Sequence, residues 1–388
     1  MGEWKEYRFS DFVCINPTVK LPKENISFVE MKDLNESTRY CMPSQERPLS
    51  GGSRFEEGDT LFARITPCLE NGKICQVKGL KNGKGFGSTE FYVFRGKKNL
   101  SDTDFVYYLS RWEEVRNHAE KNMDGTSGRQ RVPKEAFSDL YLSLPEISIQ
   151  KNIVSILSVL DDKINLLHHQ NATLEKMAET IFRQWFIEEA KDDWEEKKLS
   201  EIIELVGGGT PKTAIIEYWN GNIKWLSGGD IANNHKTIIT NSEKSITQTG
   251  LTNSSAKLLP KYATVISARG TVGKYCILAE PMAFSQSNYG ILPRYPNCFF
   301  FTYLVINHSV NLLQSSVYGS VFDTITTKTF KEHSISIPKD EVIIYKFEER
   351  VACFFKKIES NQQQIQILTQ LRDTLLPKLM SGEIKVTD

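Results

Sequence analysis

From Ile153 the apolar residues fall at Ile153, Leu157, Leu160, Ile164 and Leu167, then at Leu174, Ala178, Ile181 and Trp185, with Asn171 in sequence between them, in alternating steps of four and three. This spacing places one side of a helix against a partner and predicts a heptad seam. The helix begins just after Pro145, which a first turn tolerates, and runs to about Ile187, roughly 40 residues and about 60 Å. The pattern returns at Phe347, Val351, Phe354, Ile358, Asn361, Ile365, Leu368, Leu371, Leu375 and Leu379. Pro377 should kink or restart this second helix, and Gly382 should end it. Asn171 and Asn361 each stand in a seam, either as polar residues that fix register or as residues facing solvent at a helix edge.

The returning seam is part of a larger repeat. Asp161-Asp-Lys-Ile164, with Leu174 ten residues on, and Phe355-Lys-Lys-Ile358, with Leu368 ten residues on, lie 194 positions apart in a chain of 388. Trp4 and Trp194, Phe9 and Leu199, Phe137 and Phe330, and Pro145 and Pro338 keep nearly the same offset. Two similar halves in tandem predict a pseudo-two-fold molecule, suited to a target that also has two halves. The order domain, helix, domain, helix makes the two long helices antiparallel.

The remaining stretches, residues 1–144 and 191–337, have a different rhythm. Short β-branched and aromatic runs cut by glycine and asparagine read as strands: Ile26–Met31, Thr60–Ile65 and Phe91–Phe94 in the first, Ile223–Leu226, Ala263–Arg269 and Tyr289–Leu292 in the second. A helical segment follows in each, near Phe105–Glu120 and Phe299–Leu313, so each is an α+β domain. Within them Phe28–Leu34 matches Trp225–Ile231, and Ala63-Arg64 with Gly72–Cys75 matches Ala268-Arg269 with Gly273–Cys276. The intervals inside the last pair differ, as in one framework with loops of different length.

Composition narrows the function classes. The hydrophobic fraction of 40% suffices for packed cores, and the length favours more than one domain. No run approaches the 18 or more apolar residues of a membrane span, and Met1-Gly-Glu-Trp-Lys has no apolar signal region, so a cytoplasmic location is expected. Seven cysteines without a C-x-x-C pair predict reduced thiols, with no disulfide framework and no metal site. Gly79–Gly85 and Gly270–Tyr275 lack P-loop spacing and the Ser or Thr after the lysine. Six scattered histidines form no metal or triad motif, and no cofactor motif or catalytic constellation is present, so an enzymatic role is not expected.

What is left is recognition chemistry. Gly207-Gly-Gly209-Thr210-Pro-Lys212 can bring backbone close to a phosphate, with Thr210 and Lys212 in reach. Thr126, Ser127, Arg129, Gln130 and Arg131 in the first half, and Ser320, Thr326 and Lys328 in the second, are side-chain types that contact phosphates and base edges. Arg64 and Lys73, Arg269 and Lys274, and Ser285 and Gln286 complete the candidate DNA-binding set. Lysine and arginine total 48, as do aspartate and glutamate. That zero net charge argues mildly against a nucleic-acid binder unless basic faces are segregated.

Taken together, the Gly209-Thr-Pro211 loop, Tyr218–Trp225, Gly229-Asp-Ile231, Ala268–Lys274, Ser285-Gln286, the Pro145–Ile187 helix and the terminal Leu375–Ile384 segment resemble the specificity subunit of type I restriction-modification enzymes. The resemblance spans essentially the whole chain. It implies two target recognition domains (residues 1–144 and 191–337), each reading half of a bipartite, non-palindromic double-stranded DNA sequence. Between them come a central helical region (145–190) and a second one (338–388), which act as a ruler for the unread spacer. Two modification subunits that carry S-adenosylmethionine, and restriction subunits that use ATP and magnesium, are the implied partners. Asn16-Pro-Thr-Val-Lys20 stands where the second half has Gly-Gly-Thr-Pro-Lys212, a departure that leaves the first loop's role less defined. Two other classes fit the bare pattern: a standalone DNA-modifying enzyme, and a coiled-coil scaffold that binds proteins.

Overall fold

The computed structural model describes residues 4–22, 24–126, 128–315 and 324–386. The chain divides into two compact units: Met1–His168 with Gln364–Asp388, and His169–Gln363. Each contains one α+β region and a stretch of both long helices, which run Ile147–Arg183 and Val342–Met380.

In the first unit Trp4–Arg8 pairs antiparallel with Tyr141–Pro145. A five-stranded sheet follows in the order Val13–Ile15, Phe91–Gly96, Thr60–Ala63, Ile74–Val77, Tyr40–Cys41. A four-stranded sheet has the order Gln45–Arg47, Ile26–Val29, Lys84–Gly87, Ser53–Glu56. The second unit repeats this strand for strand. Its ribbon is Glu195–Lys198 with Ser334–Ile337, its five-stranded sheet Ile203–Gly207, Asn288–Pro293, Thr264–Ser267, Tyr275–Leu278, Ile238–Ile239, and its four-stranded sheet Lys244–Ile246, Trp219–Leu226, Met282–Phe284, Leu258–Leu259.

Even the local bonds recur. The Phe9 amide donates to Leu140 O, and the Leu199 amide to His333 O. Asp33 accepts from the Glu30 amide at 2.7 Å, and Asp230 from the Ser227 amide at 2.8 Å. The pairing register shows one shift from the sequence alignment: Ala63 faces Phe91, and Ser267 faces Asn288. Ala63 therefore corresponds to Ser267 and Arg64 to Ala268, so Arg269 is not the counterpart of Arg64. The expected helix at Phe105–Glu120 is two helices, Thr103–Arg111 and Glu113–Lys121, separated by extended backbone at Trp112. The Asp102 carboxylate caps the first by accepting from the Asp104 and Phe105 amides.

The long helices keep most of the predicted seam. Ile153, Leu157, Ile164, Leu167, Asn171, Phe347, Val351, Ile358, Asn361 and Ile365 are buried, and Leu174 and Leu368 are half-buried. At other places the stripe has moved one residue on. Asp161 is buried rather than Leu160, Phe182 and Phe186 rather than Ile181 and Trp185, and Phe355, Arg372 and Leu376 rather than Phe354, Leu371 and Leu375. A straight helix turns in 3.6 residues, so a 3.5-residue stripe drifts about 20° per heptad and its buried edge passes to the next position. Within the first unit Asp161 meets Arg372, while Ile164 and Leu167 cluster with Ile365 and Leu368. Within the second, Asn171 meets Asn361 and Phe182 meets Phe347. The helix segments run antiparallel in each unit.

Pro377 neither kinks the helix into two elements nor restarts it. The helix continues through it to Met380, because the buried Leu376, Leu379 and Met380 hold this turn against the core of the first unit. Gly382, in the left-handed region at φ +75°, ends it as expected. The first helix closes in a wide turn, Gln184–Glu188, in which the Glu189 amide reaches back to Gln184 O.

Candidate nucleic-acid interface

In the first unit several predicted residues converge on one carboxylate. Strand Phe91–Gly96 is preceded by Glu90, whose carbonyl accepts from the Arg64 amide. Arg131 grips the Glu90 carboxylate through Nε at 3.0 Å and Nη2 at 2.8 Å, and Arg64 Nε approaches it at 4.0 Å. The Arg64 guanidinium lies 4.9 Å from the Tyr92 ring centroid. The loop carrying Arg129, Gln130 and Arg131 is fastened here: the Gln130 amide donates to Thr66 Oγ1, the Thr66 amide to Gln130 O, and the Arg131 amide to Asp124 O. Thr126 and Arg129 are exposed on the outer side of that loop. Ser127 lies outside the described residues. Lys73 does not join the group, since its ammonium donates to Met31 O at 2.9 Å.

Next to Glu90 stand Ser88 and Thr89, which the sequence pattern did not single out. Two cavities meet at Thr89 and Gly52. One of about 440 Å³ is bordered by Phe28, Arg47 and Ser88. The other, about 380 Å³, is bordered by Asn16, Thr18 and Arg54. Arg47, Arg54, Arg64 and Arg131 thus surround one Ser-Thr-Glu turn, which places positive charge and hydroxyl groups around a concave surface. The signal in the sequence was the pair of arginines flanking Pro48-Leu-Ser-Gly-Gly52.

In the second unit the same turn is Ser285-Gln286-Ser287. The Ser285 amide donates to Leu226 O as the Ser88 amide does to Val29 O. The Ala268 amide donates to Ser287 O and the Ile325 amide to Ala268 O, which brings Arg269, Gln286 and Thr326 to one edge. Gln286, Arg269 and Thr326 are exposed, whereas Ser285 is 6% exposed and bonded to Ser287 Oγ and Asn288 Nδ2. Lys274 is half-buried, and its backbone is bonded to Ser267 and Thr271. Together with burial, the charge of Lys274 holds the His235 ring below its ordinary pKa. Lys328 stands apart in an ion pair with Glu332 one turn on, and Ser320 lies outside the described residues.

The glycine loop has another explanation than phosphate approach. A Cβ on Gly209 would lie 2.2 Å from Ser255 C, and one on Gly208 would lie 2.1 Å from Ser285 O. The Gly209 amide donates to Phe284 O, and its carbonyl accepts from Trp225 Nε1 at 2.9 Å. These glycines let the chain approach itself. Lys212, three residues on, projects into solvent, and Thr210 is half-buried.

A four-member polar chain ties the first unit's recognition region to its helices. Arg372 Nη1 meets Asp161 Oδ1 at 2.8 Å, Asp161 Oδ2 accepts from the Tyr108 hydroxyl at 2.7 Å, and Arg39 donates to the same hydroxyl at 3.3 Å. Arg39 continues to Gln76 and Asp104. Burial and the Asp161 charge push the Tyr108 hydroxyl far above its ordinary pKa, so it remains a donor. By the 194-residue repeat, Asp161 corresponds to Phe355 and Arg372 to Ala178. The second unit fills this place with an apolar contact, Phe355 lying parallel to Phe300 at 4.5 Å.

The family model for the type I restriction modification DNA specificity domain matches twice, over residues 1–176 and 191–376. The type I restriction enzyme HindI specificity subunit of Haemophilus influenzae is 24% identical over 466 aligned residues, covering 99% of this chain and 100% of that protein. The MjaIX specificity subunit of Methanocaldococcus jannaschii is 29% identical over 195 residues, 50% of this chain and 45% of that one. Among solved structures, the type I restriction-modification S subunit from M. genitalium superposes with a TM-score of 0.58 at 14% identity, covering 100% of this chain and 97% of that one, a likeness of fold.

Proposed function

The chain belongs to the family of type I restriction modification DNA specificity domains, and we propose that it is the DNA-reading subunit of such an enzyme, each unit engaging one half of a bipartite, non-palindromic target. One observation carries this reading: the two units repeat a single strand order while the matched turns differ, Ser88-Thr89-Glu90 beside Arg64 in one and Ser285-Gln286-Ser287 beside Ala268 in the other. A shared frame with different side chains at its edge suits two readers of different sequences.

The subunit supplies the address, and methyltransferase and restriction subunits supply the chemistry. Two modification subunits bring S-adenosylmethionine, and restriction subunits bring ATP and magnesium. The helix segments of the first unit offer them apolar surface: Val159 is 66% and Ile367 65% exposed, with Ile156, Leu166 and Leu371 also exposed. Partners that cover this surface can also supply basic groups for the phosphates, which fits a chain of zero net charge.

Methylome sequencing of a host with and without the gene tests the reading. A two-part adenine-methylated motif should vanish on deletion, and exchange of residues 191–337 for a relative's should alter one half of that motif. An unchanged motif after the exchange would sink the assignment. The isolated chain should transfer no methyl group, with activity appearing on addition of the modification subunit.

A further inference from the structure

Arg47 distinguishes the two units at a matched position. It ends the edge strand Gln45–Arg47 of the four-stranded sheet and faces Ile26, whereas the second unit has Ile246 facing Ile223. Ile246 is wholly buried, while the Arg47 side chain is 43% exposed. Its guanidinium lies 4.3 Å from the Phe28 ring centroid, and Nη2 meets Glu30 Oε1 at 2.7 Å. Gln45 Nε2 donates to the same oxygen at 2.7 Å, which holds the carboxylate in place.

The side chain borders the cavity of about 440 Å³, with the Gly51-Gly52 backbone and the Ser88-Thr89 turn also in its lining. That lining is held by a close backbone approach. Gly52 has φ +99°, and a Cβ there would lie 2.0 Å from Gly87 O. Three other arginines of the unit are more fully committed. Arg95 gives all three nitrogens to Asp59 and Glu56, Arg131 gives Nε and Nη2 to Glu90, and the Arg39 side chain is 2% exposed.

A guanidinium laid on a ring and ion-paired through one hydrogen of Nη2 keeps the second Nη2 hydrogen, which forms a fork with the neighbouring donor on Nη1 or Nε, and has little rotamer freedom left to lose on binding. Two donors in a fixed fork match O6 and N7 of guanine in the major groove. We propose that Arg47 reads a guanine in the first half of the DNA target, an inference that rests on the DNA-reading function above. Since Ile246 stands at the matched position, the effect belongs to the first half-site alone.

The test uses the chain assembled with its modification subunit, assayed for methylation on duplexes in which each base pair of both half-sites is replaced in turn. Wild type should lose roughly 10- to 100-fold in rate when one particular G·C pair of the first half-site is replaced. Arg47→Met, which keeps an unbranched side chain and removes the guanidinium, should reduce that penalty to about twofold and leave every second-half penalty unchanged. Arg47→Gln, tested in parallel should the methionine variant fail to assemble, should likewise lose the preference for guanine at that pair. A variant that discriminates as wild type does, or that loses discrimination evenly at all positions, overturns the assignment. A wild-type complex without sequence preference would instead refute the DNA-reading function itself.

Discussion

Asp161 and Arg372 meet at 2.8 Å between the two long helices, with side-chain exposures of 1% and 3%. Removing one member of such a pair leaves an uncompensated buried charge, so Arg372→Ala should cost about 3–5 kcal/mol. The second unit solves the same position with Phe355 and Ala178. Asp161→Phe combined with Arg372→Ala should therefore recover most of that loss, although the Tyr108 hydroxyl loses its acceptor. Urea denaturation of the singles and the double would decide it, and additive losses would contradict the pairing.

Asn361 Nδ2 donates to Asn171 Oδ1 at 2.8 Å in the second unit, and Asn361 Oδ1 is buried with no hydrogen bond among the described residues. The two asparagines thus face each other across the seam. Leucine at both positions should raise stability by about 1–3 kcal/mol by removing an unsatisfied buried group. The same change should relax helix register. Thermal unfolding together with light scattering would report the two effects, and a less stable double variant would argue against this account.

Gly207 and Gly209 are neighbours in sequence with opposite demands. Among the described residues no atom lies within 4 Å of a Cβ built on Gly207, whereas Gly209 abuts Ser255. Gly207→Ala should stay within about 0.5 kcal/mol of wild type, and Gly209→Ala should cost about 2 kcal/mol or more. Equal behaviour in a melting experiment would show that the loop yields.

Glu348 accepts from the Phe300 amide at 3.1 Å and the Phe301 amide at 2.7 Å, capping the helix Phe299–Ser315. Burial nonetheless pushes its carboxyl up to about 7 from an ordinary 4.5. The folded state then binds the proton more tightly than the unfolded one. Its contribution is full below about pH 4.5 and lost as the pH rises through about 7. Glu175, pushed up to about 7 by burial and by Glu179, acts in the same direction. Glu348→Gln should flatten the decline of the melting midpoint between about pH 5 and about pH 8, and parallel profiles for variant and wild type would rule the residue out.

The helices, the repeat and the alternation of domain and helix were legible in the chain because they rest on local periodicity. Ile153, Leu157 and Ile164 had to share a helix face whatever else the protein did. Trp4 and Pro145 were visible as positions that recur at Trp194 and Pro338, but that Trp4 and Pro145 pair with each other only the fold shows. Asn171 and Asn361 were visible as polar residues in apolar seams, though only packing showed them bonded to each other.

Tertiary structure decided the rest. Periodicity specifies a stripe about one residue wide in error, and only the partner helix selects Asp161 over Leu160 or Arg372 over Leu371. The glycines at 208 and 209 looked like a phosphate approach because flexibility reads the same whatever comes near; the backbone that comes near is the chain's own. Arg47 showed in the one-dimensional pattern only as one of two arginines around a glycine loop; its meaning lies in Phe28 beneath it, Glu30 beside it and Thr89 across the cavity, contacts set by strand order. The amino-acid sequence by itself determined two helices and two repeated α+β halves through spacings of three, four and 194 residues. The fold alone determined which side chains face a common surface, because that depends on pairings between residues distant along the chain.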